Sequence, residues 1–384
     1  MSLRIALLTY STKPRGSVIH TLELAQALAE RGHRPHVFAL DKDGQGFHRS
    51  VGFATTAVAA RPHSGNIDQL IQQRIGEFVQ FFEQHGAAYD VYHAQDCLSA
   101  NALAHLKEQG HLSHFVRTVH HIEDFQSPYL QDCQEKSIYQ PDRCLCVSEV
   151  WQRVLASDYG IEAHRVINGV SRQFSPRPDG AEFALADAYG LSGDPVYLTV
   201  GGIEPRKNSL TLLTAFRQVR SHHPNAQLVI IGGATLFDYQ PYRAAFMDQV
   251  QADGLESALV LPGVVPDRHL PGLYRLADAF VFPSLQEGWG LVVLEAIASG
   301  LPVVTSNQAP FTEFLSSETA LLVEPEDAGA IATAMLKVLD PNVSQRLIHQ
   351  SQSLIPRYSW QTSAEMHLTL YRQLVSSQRV QRQS

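Results

Sequence analysis

Val196-Tyr-Leu-Thr-Val-Gly-Gly-Ile-Glu-Pro-Arg-Lys-Asn208 starts as a run of apolar or β-branched residues, turns on two adjacent glycines and ends in a charged loop. The pattern predicts a buried strand over 196–200, a loop over 201–208, a helix to about His222 and another strand over 227–231. The same order appears near the start of the chain. Arg4–Thr9 reads as a strand, Ser11–Ser17 as a turn-rich loop, Val18–Glu30 as a helix stopped by Gly32, and His36–Leu40 as the next strand. Strand, loop, helix, strand in series is the pattern of parallel α/β sheets. Its double occurrence predicts an α/β fold of two Rossmann-like, doubly wound domains.

Between Gly169 and Pro195 the periodicity fades around Pro176, Pro178, Gly180 and Gly193, which places the domain boundary there. Ser171–Pro178 reads as a linker. The first domain is thus expected over 1–170 and the second over 171–356. A last amphipathic helix, about Trp360–Ser376, lies within 357–384. Ligands of open parallel sheets bind beyond the carboxyl ends of the strands. The loops at 11–17 and 201–208, and the loop leading to Glu287, are therefore expected to line a shared cleft.

The 384 residues are 44% apolar and 18% charged, which suits a globular protein with a large core. A formal net charge of -8 without a long basic run argues against nucleic acid as a partner. No apolar run is long enough for a transmembrane helix, and Leu3–Thr9 is too short for a signal peptide. The setting expected is cytoplasmic, with peripheral contact with a membrane left open. The cysteines, Cys97, Cys133, Cys144 and Cys146, have no metal-binding spacing and read as buried small apolar groups.

Chemistry concentrates in Pro283-Ser-Leu-Gln-Glu-Gly-Trp-Gly-Leu-Val-Val-Leu-Glu-Ala-Ile-Ala-Ser-Gly-Leu-Pro302. Glu295 stands alone in a helix that is apolar on nearly every side, and such a helix is normally buried. It needs a partner: a basic core residue, a backbone amide, or a hydroxyl-rich ligand. Gly288-Trp-Gly290 precedes this helix, where free amides and the helix dipole favour a negative group. Gly201-Gly202 with Arg206-Lys207 combines close backbone approach with two cations, either for phosphate or as a solvated turn. Gly16 opens the first helix but lacks the other glycines of a dinucleotide fingerprint.

Other candidates are thinner. His120, His121, Glu123 and Asp124 follow a strand expected over 113–119 and offer sugar contact or proton transfer, or form a plain surface loop. Asp41-Lys-Asp43 and Asp96 leave strand ends; the first reads as a solvated loop. Asn66–His85 is an amphipathic helix with a core face rather than a membrane-docking one.

Taken in order, these segments resemble the retaining glycosyltransferases of family 4, which have the GT-B fold. Glu287 and Glu295 match the family's Glu-x7-Glu motif, with Pro283-Ser284 before it and Trp289-Gly290 within it. Gly201 to Lys207 match the phosphate-binding turn. Asn168-Gly169-Val170 closes the first domain, Pro262-Gly263-Val264 precedes the helix ending at Tyr274, and His120 falls on the family histidine. The final helix at Trp360 would cross back to the first domain. The chain departs from the pattern at Gly202, where the family has an arginine, leaving open whether Arg206 replaces it. It departs again at Arg15-Gly16, where the family often has two glycines.

The resemblance implies a hexosyltransferase-type enzyme (EC 2.4) that moves a sugar from a nucleotide-diphosphate donor to a small-molecule, glycan or lipid acceptor. It implies no metal and no cofactor. Glu295 would hold ribose hydroxyls. Glu287 with the amides of Gly288, Trp289, Gly290, Leu291 and Val292 would hold the transferred sugar. Lys207, Arg206 and the Gly16 loop would stabilise the diphosphate beside Gly202 and Gly263, and His120 would contact the sugar near the reaction centre. By this implication His120, Glu287 and Lys207 are the catalytic set. Two alternatives stand beside it: a sugar-nucleotide epimerase of the same architecture, and a non-catalytic nucleotide-sugar-binding protein.

Overall fold

The computed structural model describes residues 2–47, 49–86, 88–233 and 239–381, the side chains of 378–381 excepted. The chain divides into two compact units: Met1–Gly169 with Tyr358–Ser384, and Val170–Arg357.

The first unit carries strands β1 (Arg4–Thr9), β2 (Arg34–Asp41), β3 (Ala54–Ala59), β4 (Val91–Ala94), β5 (Val116–Val119), β6 (Arg143–Cys146) and β7 (His164–Arg165). They form one parallel sheet in the order β3-β2-β1-β4-β5-β6-β7. Helices cover both faces of such a sheet, which is why β1 reads as an unbroken apolar run. Ala6 and Leu8 of β1 join Phe38, Ala94, Phe78, Phe82 and Leu103 in one buried cluster. That cluster seats the helices Ile67–His85 and Cys97–Glu108 on the sheet. The first of these is set by Asn66, whose side chain accepts from Gln69 N while Gln69 reaches back, a capping box. The C-terminal helix Trp360–Gln381 belongs to this unit and packs on the helix Gly16–Glu30, with Tyr371 fully buried.

The second unit carries β8 (Val196–Val200), β9 (Gln227–Ile231), β10 (Leu259–Gly263), β11 (Ala279–Phe282), β12 (Val303–Ser306) and β13 (Leu321–Val323). All pair in parallel, in the order β10-β9-β8-β11-β12-β13. In both sheets the chain builds outward from its first strand in one direction and then reverses. The reversal falls between β1 and β4 in one unit and between β8 and β11 in the other. Ligands of doubly wound sheets bind at this switch point.

Two expectations are revised. The strand expected over 113–119 begins only at Val116, because its neighbour β6 starts at Arg143, which is the partner of Val116. Residues 113–115 have no strand of β6 to pair with. The segment expected as a linker is docked, not loose. Phe174 is buried and stands edge-on to Tyr274 with ring centres 5.5 Å apart. A Cβ at Gly300 would fall 2.8 Å from Pro176. Among the described residues no helix is long and apolar enough to cross a membrane.

Candidate active site

At the switch point of the second unit the loops after β8 and β11 lock together. The Arg206 carbonyl accepts from Leu285 N at 2.8 Å, and the Ser284 hydroxyl, also 2.8 Å away, shares its one proton between this carbonyl and Glu287. Ser306, at the end of β12, donates its hydroxyl to the Ser284 carbonyl at 2.6 Å. Asn208 holds the two loops from below: its amide donates to the carbonyls of Pro283 at 3.1 Å and Pro325 at 2.5 Å. Its φ of 59° is left-handed, a conformation that asparagine tolerates better than most residues.

This frame fixes Glu287 against two cations. One carboxylate oxygen, Oε1, accepts from Lys207 Nζ at 2.5 Å, from Ser284 Oγ at 2.7 Å and from Arg206 Nη1 at 3.2 Å. Arg206 also reaches Glu204 Oε2 with its Nε at 3.2 Å. The Lys207 ammonium lies 4.6 Å from the centre of the Phe282 ring, a cation–π contact. Burial pushes the Glu287 carboxyl up, but the Lys207 and Arg206 charges and the bonds from Lys207 and Ser284 outweigh it and hold it below the usual carboxylate value. Burial pulls the Lys207 ammonium down, opposed by Glu287. The expected Arg206, Lys207 and Glu287 therefore meet in one group, whose charges balance once Glu204 is counted.

Glycines bring three strand ends into contact beside it. Gly232 N donates to the Gly263 carbonyl at 3.0 Å, and Gly201 N to the Ile231 carbonyl at 2.7 Å. A Cβ on Gly202 would lie 2.7 Å from the Gly233 carbonyl oxygen and 2.7 Å from Glu204 Oε1. The family arginine thus has no room at this position without backbone movement. Gly232 and Gly233 form part of the site and were not singled out from sequence, although the same strand-then-glycines signal marks them.

The second carboxylate sits differently from its expectation. The helix Leu291–Ala298 is not buried on every side: Leu291, Val292 and Glu295 are half-buried, along one face. One partner of Glu295 is a phenol. Tyr274 donates to Glu295 Oε2 at 2.9 Å. Burial, with the Glu295 charge next, pushes the Tyr274 hydroxyl well up, so it remains a donor. Gly290 starts this helix with a φ of 97°, and a Cβ there would meet Phe311 at 2.6 Å. Gly288 is half-buried in the loop before it. The Trp289 side chain is core: it is 3% exposed and stacked on Phe314 at 4.8 Å. A donor contact from Trp289 is thereby limited to its backbone.

The other candidates belong to the first unit. Gly16 is exposed at the start of its helix, where the Arg15 side chain makes no cap bond. His120 follows β5 and lies 3.1 Å, through Nε2, from Gln95 Oε1. Burial, then the charges of His20 and Arg117, keep its pKa well below the usual histidine value, so it is neutral. Asp96 caps the helix Cys97–Glu108 by accepting from Ser99 N at 2.8 Å. Asp41 is buried and organises its own loop, accepting from Gly44 N at 3.1 Å and Gly46 N at 2.8 Å. Asp43 pairs with Lys13. Among the described residues no group of three or more His, Cys, Asp or Glu side chains is placed to hold a metal ion.

Comparison with known proteins agrees with this architecture. Residues 182–353 match the family model "Glycosyl transferases group 1", and residues 14–174 match "Glycosyltransferase Family 4". The chain is 28% identical over 282 residues to the O-antigen chain mannosyltransferase B of Escherichia coli, covering 68% of this chain and 71% of that one. The sucrose-phosphate synthase of Thermosynechococcus elongatus superposes with a TM-score of 0.80 at 23% identity, over 98% of this chain and 100% of that one. Anabaena HepE, solved in complex with UDP-glucose, gives 0.77 at 19% identity over 96% and 99%. With both halves matched to glycosyltransferase models and the same paired-sheet fold, the chain belongs to the GT-B glycosyltransferases.

Proposed function

We propose that this glycosyltransferase takes its sugar from a nucleotide-diphosphate donor, transfers it with retention and without a metal ion, and binds the donor at the switch point of the second unit. The observation that carries this reading is the grip of Lys207, Arg206 and Ser284 on Glu287. The Lys207 ammonium has three protons and spends one on Glu287. The others suit diphosphate oxygens, where charge grows as the leaving group departs. Arg206 offers a planar fork that suits the same oxygens. The Glu287 carboxylate, held ionised, accepts from sugar hydroxyls. The first-turn amides of the helix that opens at Leu291 sit behind Gly288, Trp289 and Gly290. Half-exposed Glu295 suits a pair of vicinal hydroxyls such as those of ribose. A relative solved with UDP-glucose supports a donor of this class. His120, neutral in the first unit, is assigned to the sugar near the reacting carbon.

The test is a panel of nucleotide-diphosphate sugars with the purified protein. Donor binding should raise the melting temperature, and anomeric analysis of the product should show retention. An epimerised donor released without acceptor would support the epimerase alternative instead. Tight donor binding with no turnover on any acceptor would support a binding protein.

A further inference from the structure

The first unit holds four imidazoles close together, of which the proposed reaction uses one. His20, His93 and His367 are fully buried and His120 is half-buried. His20 stands edge-on to His120 at 4.7 Å between ring centres and contacts Asn168 Oδ1 through Nδ1 at 2.8 Å. His93 is tied to the C-terminal helix, with Nδ1 2.6 Å from the Tyr371 hydroxyl, and to β5, with Nε2 2.8 Å from Thr118 Oγ1. Gln95 lies between His93 and His120: its Nε2 is 3.3 Å from His93 Nδ1 and 3.4 Å from His93 Nε2, and its Oε1 is 3.1 Å from His120 Nε2.

One phenol sets the tautomer of His93. Tyr371 is fully buried, and its hydroxyl must donate. Its proton goes to His93 Nδ1, which is therefore the bare nitrogen of a neutral ring. His93 then carries its proton on Nε2 and donates to Thr118. The one in-plane lone pair of His93 Nδ1 is taken by Tyr371, so the Gln95 amide N–H meets the electron-rich face of the neutral His93 ring instead, and the carbonyl end turns to His120. A carbonyl only accepts. His120 must therefore carry its proton on Nε2 and leave Nδ1 as a lone pair.

We propose that Gln95 is a positioning residue that fixes His120 as the Nε2–H tautomer, so that His120 meets the substrate through Nδ1 as a hydrogen-bond acceptor. Tyr371 sets the tautomer of His93 at the other end of the relay. A bare Nδ1 takes a proton from a sugar or acceptor hydroxyl and gives nothing to a phosphate oxygen. The relevance to transfer rests on the role proposed above for His120; the tautomer itself does not.

The experiment is long-range proton–nitrogen correlation of the histidine side chains in the uniformly nitrogen-15-labelled full chain near neutral pH, with His120 assigned by its loss in His120→Gln. The wild type should show the Nε2–H pattern for His120. Gln95→Leu should give a mixture of tautomers, and Gln95→Glu, which still accepts, should restore the Nε2–H form. On a donor and acceptor pair that the wild type turns over, Gln95→Leu should lose about 10²-fold in kcat with little change in donor KM, and Gln95→Glu should recover part of it. An Nδ1–H pattern in the wild type, or an unchanged pattern in Gln95→Leu, would overturn the tautomer assignment. Wild-type kcat in Gln95→Leu despite a changed tautomer would overturn its part in the reaction. Should Gln95→Leu not fold, Gln95→Met, which is closer in shape and cannot accept, tests the same contact, with mixed tautomers expected at His120. A chain that transfers no sugar at all, with the tautomers as described, would count against the proposed function and leave the relay standing.

Discussion

Lys207 Nζ lies 2.5 Å from Glu287 Oε1, so a cation from the loop after β8 neutralises a carboxylate from the loop after β11. The two strands are neighbours in the sheet, whereas the two residues are far apart in the chain. The Lys207 side chain is 13% exposed and the Glu287 side chain 9%. Removing Glu287 takes the nearest carboxylate from a nearly buried ammonium, and removing Lys207 leaves Glu287 to Arg206 and Ser284 alone, each at a cost of up to about 3 kcal/mol. Lys207→Ala and Glu287→Leu should each lower stability by this order in urea titrations. The double variant should be less destabilised than the sum, by about 1–2 kcal/mol. Additive losses would show that the contact contributes nothing.

For catalysis, Lys207→Ala and Glu287→Gln should each reduce transfer by at least about 10²-fold. Circular dichroism should show both variants folded. Wild-type-like turnover in a purified variant would remove that residue from the catalytic set.

Gly202 should resist restoration of the family arginine. Its Cβ position is 2.7 Å from the Gly233 carbonyl, a backbone atom that would have to shift. Gly202→Ala should cost about 1–3 kcal/mol, and Gly202→Arg should weaken donor binding rather than strengthen it. Tighter donor binding by Gly202→Arg, measured calorimetrically, would contradict this.

Asn208 should be irreplaceable by aspartate despite equal size. A carboxylate cannot donate to the carbonyls of Pro283 and Pro325, and it would bring a buried charge. Asn208→Gly keeps the left-handed backbone but loses both bonds, for a loss of about 2 kcal/mol. Asn208→Asp should fare worse than Asn208→Gly in thermal melts.

The buried histidines should make the first unit acid-sensitive. Burial, then the neighbouring His367 charge, lowers His20 from 6.5 to about 3, and burial lowers His367 to about 4. His93 and His120 are lowered by burial in the same sense, and Arg117 faces both. The folded values lie below the unfolded one, so the unfolded chain binds protons below pH 6.5 that the folded chain does not. Stability is therefore intact above that pH and falls as pH drops, by about 1.4 kcal/mol per pH unit for each histidine. The melting temperature should decline steeply between pH 6.5 and about 4, and His367→Phe should flatten the decline. A flat profile over that range would refute the neutral buried cluster.

Much of this was legible in the chain. The repeated strand, loop and helix at Arg4 and Val196 gave two parallel sheets, because strands covered on both faces must be apolar throughout. The motif around Glu287 and Glu295 marked the donor loop, and Lys207 and Arg206 were named with it. The sequence misled where burial depends on a neighbour it does not specify. The Trp289 side chain fills the space beside Phe314, and the helix that carries Glu295, apolar on nearly every side, keeps one face half-buried.

The sequence alone determined the local terms: strand and helix periods, glycines at tight turns and the charges available to each loop. These depend on residues close together in the chain. Only the tertiary structure decided which charges meet, how Gln95 is oriented between His93 and His120, and why Gly202 admits no side chain. Each of these depends on groups from separate strands held within about 3 Å of one another, and hydrogen bonds and steric exclusion act only at that range.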